Sequence, residues 1–192
     1  MAGKITAPVF RAMKQENRKI VVLTAYDALE ASWADEAGVD AILVGDSVAS
    51  TKLGFSNTVG ADMDMMLHHV RSVAKAKPKA LIIADLPFGS YQASPQEAFH
   101  SAEKLMRAGA EAVKLEGVYP EAIQLMVKAG IPVMGHLGMT PQSVYGLGGH
   151  KVQGSGDAGG HLLQEARDLE ACGVFSFVLE LVVADVSAAI TK

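Results

Sequence analysis

Short apolar runs recur along the chain at 20–24, 41–44, 80–84, 112–115, 131–135 and 175–179, rich in Val, Ile and Leu and without strict alternation. Continuous runs of this length predict strands buried on both faces, as in a parallel sheet. Between them lie segments with helical punctuation. Ser94, Pro95 and Glu97 supply an N-cap, a first-turn proline and an N3 glutamate, and Gly109 stops that helix. Pro120 and Gly130 bracket the next helix, Gly38 ends one around 28–37, and Gly173 ends one around 161–172. Repeated strand–helix order implies right-handed βαβ crossovers in an α/β fold.

Six strands are predicted, with a helix starting near residue 184. An eight-stranded barrel typically takes about 250 residues. The expectation is therefore a single (β/α) barrel domain of TIM type over residues 1–192, with six of its eight βα units present and an apparent truncation at the C-terminus. Composition narrows the class. An apolar share of 49% excludes a disordered chain, because enough nonpolar surface exists to offset the ordering entropy. Lys and Arg number 17 against 21 Asp and Glu, a net charge of −4, with no basic run to suggest nucleic acid. The single cysteine, Cys172, cannot close an intrachain disulfide, which suits a reducing compartment. No apolar stretch approaches the roughly 20 residues of a membrane span, and the basic N-terminal segment lacks the apolar stretch of a secretory signal. A cytoplasmic protein with no membrane partner is expected.

The chemistry collects where the predicted strands end. The first runs into Thr24-Ala25-Tyr26-Asp27, the second into Gly45-Asp46-Ser47 and the third into Asp85-Leu86-Pro87; the fourth carries Lys114 and ends at Glu116, the fifth reaches His136 and the sixth Glu180. In barrels the active site is assembled at that face from several strand ends. Asp46 and Asp85 offer hard oxygens suited to Mg²⁺, and Glu116 could join through a water. Lys114 and His136 would meet an anionic substrate. Glu180, at the edge of an apolar interior, is expected to have a raised pKa suited to a general base. Helix capping and structural ion pairs are the competing roles for these residues, above all for Asp27 and Ser47. Asp85→Ala is expected to abolish Mg²⁺-dependent turnover and to leave folding largely intact.

Two further patterns carry less. The segment 154–159 matches G-x-G-x-x-G but lacks a preceding strand, so the glycine-rich stretch 145–153 reads as an active-site loop rather than a dinucleotide site. Met63, Met65 and Met66 read as core filler, and the adjacent His68 and His69 point to different sides of their helix.

The strings Thr24-Ala25-Tyr26-Asp27, Val44-Gly45-Asp46-Ser47, Ala84-Asp85-Leu86-Pro87-Phe88, Val113-Lys114-Leu115-Glu116-Gly117, Gly135-His136-Leu137-Gly138 with Thr140-Pro141-Gln142-Ser143, and Lys151-Val152-Gln153-Gly154 closely resemble the ketopantoate hydroxymethyltransferase family. The resemblance runs in order from about residue 5 to residue 192. It implies a (β/α)₈ barrel in a cytoplasmic homo-oligomer, typically a decamer. It implies a Mg²⁺ enzyme that uses 5,10-methylenetetrahydrofolate to hydroxymethylate 3-methyl-2-oxobutanoate, giving 2-dehydropantoate for pantothenate biosynthesis. By motif, Asp46, Asp85 and Glu116 match the metal site; Asp46, Ser47, Asp85, Lys114 and His136 match substrate-contacting positions; and Glu180 matches the proton acceptor. Departures fall at Val59-Gly60-Ala61-Asp62, at Tyr145 and at Leu181-Val182-Val183-Ala184, and the family's last two strands have no counterpart. Two alternatives stand beside this reading: a Mg²⁺ enzyme of the phosphoenolpyruvate mutase/isocitrate lyase kind acting on an α-keto acid, and a non-catalytic fragment.

Overall fold

Residues 3–192 are described by the structure, a computed structural model. Six parallel strands pair in sequence order: β1 (Val22–Thr24), β2 (Ala41–Val44), β3 (Leu81–Asp85), β4 (Ala112–Lys114), β5 (Val133–Gly138) and β6 (Ser176–Glu180). Neighbours in the wall are neighbours in sequence, which is barrel order; a doubly wound sheet reverses direction partway. Helix α1 (Ala7–Gln15) precedes β1 and α2 (Ala28–Glu36) follows it. After β2 come the short α3 (Val48–Thr51), a 3₁₀ turn at Thr58–Gly60 and α4 (Met63–Lys75). Then α5 (Pro95–Ala108) follows β3, and α6 (Pro120–Lys128) follows β4. A 3₁₀ turn at Pro141–Ser143, α7 (Val144–Leu147) and α8 (Ala158–Cys172) follow β5, and α9 (Ala184–Thr191) follows β6. The expected punctuation is present on α5: Ser94 Oγ accepts from Glu97 N at 3.1 Å, and Gly109 closes the helix at φ 117°.

Side chains alternate across each strand, and the two faces carry different cargo. The outward positions Ile42, Val44, Ile82, Val113 and Val133 pack against Val70, Leu105, Ile123, Met126 and Leu169 of the surrounding helices. The inward positions Ala41, Leu81, Ile83, Ala112 and Met134 form a second cluster with Ala7 and Phe10 of α1. Phe10 meets Phe175 edge-on with ring centroids 5.7 Å apart. Helix α1 therefore plugs the end of the barrel at which the strands begin. The sequence reading had not placed this helix, although Pro8 in its first turn and Phe10 and Met13 three residues apart were available as signals.

The same inward rows change character along the strands. Leu81 and Ile83 give way to Asp85, Ala112 to Lys114, Met134 to His136, and Val178 to Glu180. One end of the barrel is filled with hydrocarbon and the other with ionisable groups. Near the filled end, the buried Asp40 accepts from Arg18 Nη2 at 2.5 Å and from Val21 N at 2.9 Å.

Burial on both faces holds for β2 to β5 but fails at the margins. β1 is exposed along its length and β6 is half-buried. Each is an edge strand with a single neighbour among the described residues. Strand β5 also runs on to Gly138, past the expected stop at 135, which carries His136 inside the ladder. No helix of the described residues is long and apolar enough to cross a membrane.

Candidate active site

Asp85 and Lys114 are register partners on β3 and β4, so their inward side chains are obliged to meet. Lys114 Nζ stands 2.8 Å from Asp85 Oδ1, both side chains buried. The contact lies outside hydrogen-bond geometry and leaves Oδ1 without a hydrogen-bond partner. Asp85 Oδ2 accepts from Asp46 N at 3.1 Å, which ties the turn after β2 to the end of β3. Ser47, next in the chain, makes no cap bond to α3; its Oγ lies 2.9 Å from Tyr26 Oη. Asp27 does serve as the N-cap of α2, accepting from Glu30 N at 2.8 Å, and stays apart from the cluster.

Gln142, in the turn after β5, reaches into the same space. Its Nε2 donates to Asp46 Oδ2 at 2.8 Å and to Leu86 O at 2.9 Å, and its backbone N donates to Glu116 Oε2 at 2.9 Å. The Tyr91 hydroxyl donates to Gln142 Oε1 at 2.8 Å and accepts from Glu116 N at 3.2 Å. Neither Gln142 nor Tyr91 was among the expected site residues. Gln142 lay inside a quoted motif, but a glutamine in a turn carries no chemical signal until its partners are known; Tyr91 lay in no pattern at all.

His136 centres the remaining wall. Its Nδ1 stands 3.4 Å from Lys114 Nζ and 3.7 Å from Glu116 Oε1. Its buried Nε2 has no hydrogen-bond partner and faces Glu180 Oε2 at 3.3 Å. Gly138 makes this approach possible. It pairs with Glu180 across β5 and β6 at φ 90°, and a Cβ there would collide with the Glu180 carbonyl oxygen and the Val182 side chain. Just beyond Glu180, Leu181 adopts φ 48°, a left-handed turn unusual for leucine, at one of the positions where the chain departs from the family strings.

Burial of several ionisable groups together sets the electrostatics. Burial, reinforced by Asp85, pushes the Asp46 carboxyl up to about 8, against the opposing pull of Lys114 and of the Gln142 hydrogen bond. Burial likewise raises Glu116, with Lys114 and His136 opposing. For Lys114, burial favours the neutral amine, but Asp85, Glu116 and Asp46 together outweigh it and hold the ammonium more firmly than usual. Glu180 departs from expectation. The neighbouring His136 lowers its carboxyl below the usual range, against partial burial, with help from Lys114 and His150. The sequence supplied the apolar run before Glu180 but not the imidazole facing it.

Among the described residues no group of three or more His, Cys, Asp and Glu side chains is arranged to enclose a metal ion. The cluster still fits a hard divalent cation of the kind that binds one or two carboxylates and fills its shell with water and substrate. Asp46 and Asp85 supply the carboxylates; Asp46 uses one oxygen on Gln142 and keeps the other free, and Asp85 Oδ1 is held only by the Lys114 ammonium. Asp85 is buried, which bears against the expectation that Asp85→Ala would leave folding largely intact. Removing it would strand the buried Lys114 charge. Gly154 and Gly156 lie in the turn leading into α8 and Gly159 in its first turn, just after an isolated parallel bridge between Gln153 and Val182. On α4, Met66 is buried, and His69 Nδ1 lies 2.8 Å from Tyr26 O.

Solved structures share this architecture. A phosphonopyruvate hydrolase in complex with oxalate and Mg²⁺ superposes with a TM-score of 0.71 at 15% identity, over 96% of this chain and 66% of that one. A 2,3-dimethylmalate lyase of the phosphoenolpyruvate mutase/isocitrate lyase superfamily gives 0.69 at 18% identity, over 98% of this chain and 66% of that one. Such identities establish the fold alone. Sequence relatives are far nearer. A 3-methyl-2-oxobutanoate hydroxymethyltransferase of Pseudothermotoga lettingae is 53% identical over 187 residues, covering 95% of this chain and 70% of that protein. One of Ignicoccus hospitalis is 50% identical over 192 residues, covering 98% and 73%. The model of the ketopantoate hydroxymethyltransferase family matches residues 4–192. From β1 to α9, in the strand ends as in the helices around them, the chain belongs to the ketopantoate hydroxymethyltransferase family.

Proposed function

We propose that the chain is a Mg²⁺-dependent 3-methyl-2-oxobutanoate hydroxymethyltransferase of pantothenate biosynthesis, acting in the cytoplasm as a homo-oligomer. It moves a one-carbon unit from 5,10-methylenetetrahydrofolate to 3-methyl-2-oxobutanoate, giving 2-dehydropantoate. The observation that carries the reading is the meeting of Asp46, Asp85, Lys114, Glu116, His136 and Glu180 at one barrel end, in a chain half identical to enzymes of that name.

Asp46 and Asp85 would hold the cation, with Glu116 nearby to add negative charge. When bound, Mg²⁺ acts as a Lewis acid on the keto oxygen and lowers the cost of losing the proton on the carbon beyond it. Lys114 and His136 bind the substrate's oxygens, and Ser47 lies beside Asp46 to add a hydroxyl. Glu180, ionised at neutral pH and held in place by the facing His136, accepts the proton. The exposed carbon bonds to the one-carbon unit from the folate, water supplies the new hydroxyl oxygen, and tetrahydrofolate departs. The interior below is dry hydrocarbon, which keeps these charges effective.

Isocitrate lyases employ an active-site cysteine on a loop, whereas the single cysteine here, Cys172, is buried at the end of α8, away from the strand-end face, and gives no support to lyase chemistry. The test is 2-dehydropantoate formation by the purified chain with and without Mg²⁺. Metal-dependent product supports the proposal, and Glu180→Gln should cut turnover by about 10²–10⁴-fold, the usual worth of a general base. A cooperatively folded chain that yields no product under any metal condition favours the non-catalytic reading.

A further inference from the structure

We infer that Gln142 is a positioning residue, whose carboxamide sets the Asp46 carboxylate and whose backbone N–H holds Glu116, so that one turn after β5 aligns acids from two other strand ends. The inference rests on the metal reading proposed above.

Every hydrogen-bonding position of this buried amide is used. Nε2 donates both protons, to Asp46 Oδ2 at 2.8 Å and to Leu86 O at 2.9 Å. Oε1 accepts from the Tyr91 hydroxyl at 2.8 Å and from Gln92 Nε2 at 3.2 Å. The orientation is forced. Reversing the amide would set its oxygen against the Leu86 carbonyl and its NH₂ against the Gln92 donor, whose own amide is fixed by Gly89 N. No other side-chain donor among the described residues hydrogen-bonds Asp46, so the carboxylate is fixed through one oxygen while the other remains available. Tyr91, buried beneath, both orients the amide and accepts from Glu116 N. This is the arrangement by which partners behind a metal ligand set its direction, and loss of such partners commonly weakens metal binding by about 10–100-fold.

The test uses Mn²⁺ as the probe, with uptake read from the loss of the free-ion electron paramagnetic resonance signal. Gln142→Met keeps the length but neither donates nor accepts usefully, and should weaken Mn²⁺ binding by about tenfold or more. Tyr91→Phe removes only the hydroxyl that orients the amide, should weaken it by about threefold, and serves if Gln142→Met fails to fold. Asp40→Asn, at the opposite end of the barrel, lowers stability without touching the site and should bind Mn²⁺ as the wild type does. Wild-type affinity in folded Gln142→Met, or equal weakening in Asp40→Asn, overturns the inference. A wild-type chain that binds Mn²⁺ but forms no 2-dehydropantoate defeats the proposed function and leaves the positioning role standing; one that takes up no Mn²⁺ overturns both.

Discussion

Asp40 and Asp85 are equally buried carboxylates at opposite ends of neighbouring strands, and their surroundings could hardly differ more. Asp40 has a hydrogen bond on each oxygen, one from the Arg18 guanidinium and one from Val21 N, and Arg18 itself reaches solvent. Asp85 has one oxygen satisfied by a backbone N–H and one with no hydrogen-bond partner, beside a lysine buried as deeply as itself. The filled end of the barrel spends its polar groups on closing the structure; the open end tolerates incomplete ones. Burial alone does not separate the two acids; what separates them is that Asp85 shares its surroundings with other buried ionisable groups, whereas Asp40 is closed off by a backbone N–H and a solvent-reaching arginine.

The widest separation between the two ends should appear when each acid becomes its neutral isostere. Asp85→Asn removes a charge proposed to hold the cation, and should reduce Mg²⁺-dependent turnover by about 10³-fold, the scale of several kcal/mol of lost transition-state stabilisation. Asp40→Asn should leave turnover per folded molecule unchanged and lower unfolding free energy by about 1–3 kcal/mol in urea titrations. Loss of turnover in folded Asp40→Asn, or its retention in Asp85→Asn, would erase the distinction. Truncation to alanine is less clean at Asp85, because stranding Lys114 should itself cost about 3–5 kcal/mol.

Next in size is the hydrocarbon plug. Phe10→Ala opens a cavity between α1, Phe175 and the inward faces of β2 to β4, and should cost about 3–5 kcal/mol by thermal or denaturant unfolding. Mn²⁺ affinity should move far less than stability does, since Phe10 lies at the far end of this cluster and only Met134 and Val178 border the ionisable layer, as register partners of Lys114 and His136. A matching loss of affinity would mean that the two ends are mechanically coupled rather than stacked.

How far these two ends could be read in advance follows from the range of the signals. The strands and most helices were legible because apolar runs and caps such as Ser94 and Gly109 act locally. Asp46, Asp85, Lys114, His136 and Glu180 were legible because a parallel barrel places strand ends together. Helix α1 carries only a short local signal in Pro8, Phe10 and Met13, and its partners, Phe175 and the inward rows of β2 to β5, are remote in sequence. Gln142 and Tyr91 were missed for the same reason, since their meaning lies in hydrogen bonds spanning 25 to 96 residues. The depressed pKa of Glu180 depends on His136 of the adjacent strand, which outweighs the apolar run before it. β1 showed the opposite failure: an apolar run correctly read as a strand, but not as an exposed one.

The smallest effect is graded with pH and separates the two ends by a different observable. In the metal-free protein Asp46 keeps its proton up to about pH 8, whereas the unfolded chain gives it up near the ordinary carboxyl value of 3.8. The folded state therefore binds more protons across that window, and unfolding free energy should fall as pH rises from 5 to 8. Glu116 adds in the same direction, while the depressed Glu180 acts below this range. A cation seated on Asp46 must displace the proton, so Mn²⁺ affinity should rise by up to about tenfold per pH unit and level off above pH 8. Calorimetry in buffers of different ionisation heat should then show about one proton released per ion at pH 7. Asp40→Asn should leave that release intact, because its carboxylate belongs to the end of the barrel where every partner is already in place. Release without a dependence on Asp46, tested in Asp46→Asn, would move the titrating acid elsewhere in the cluster and take the cation with it.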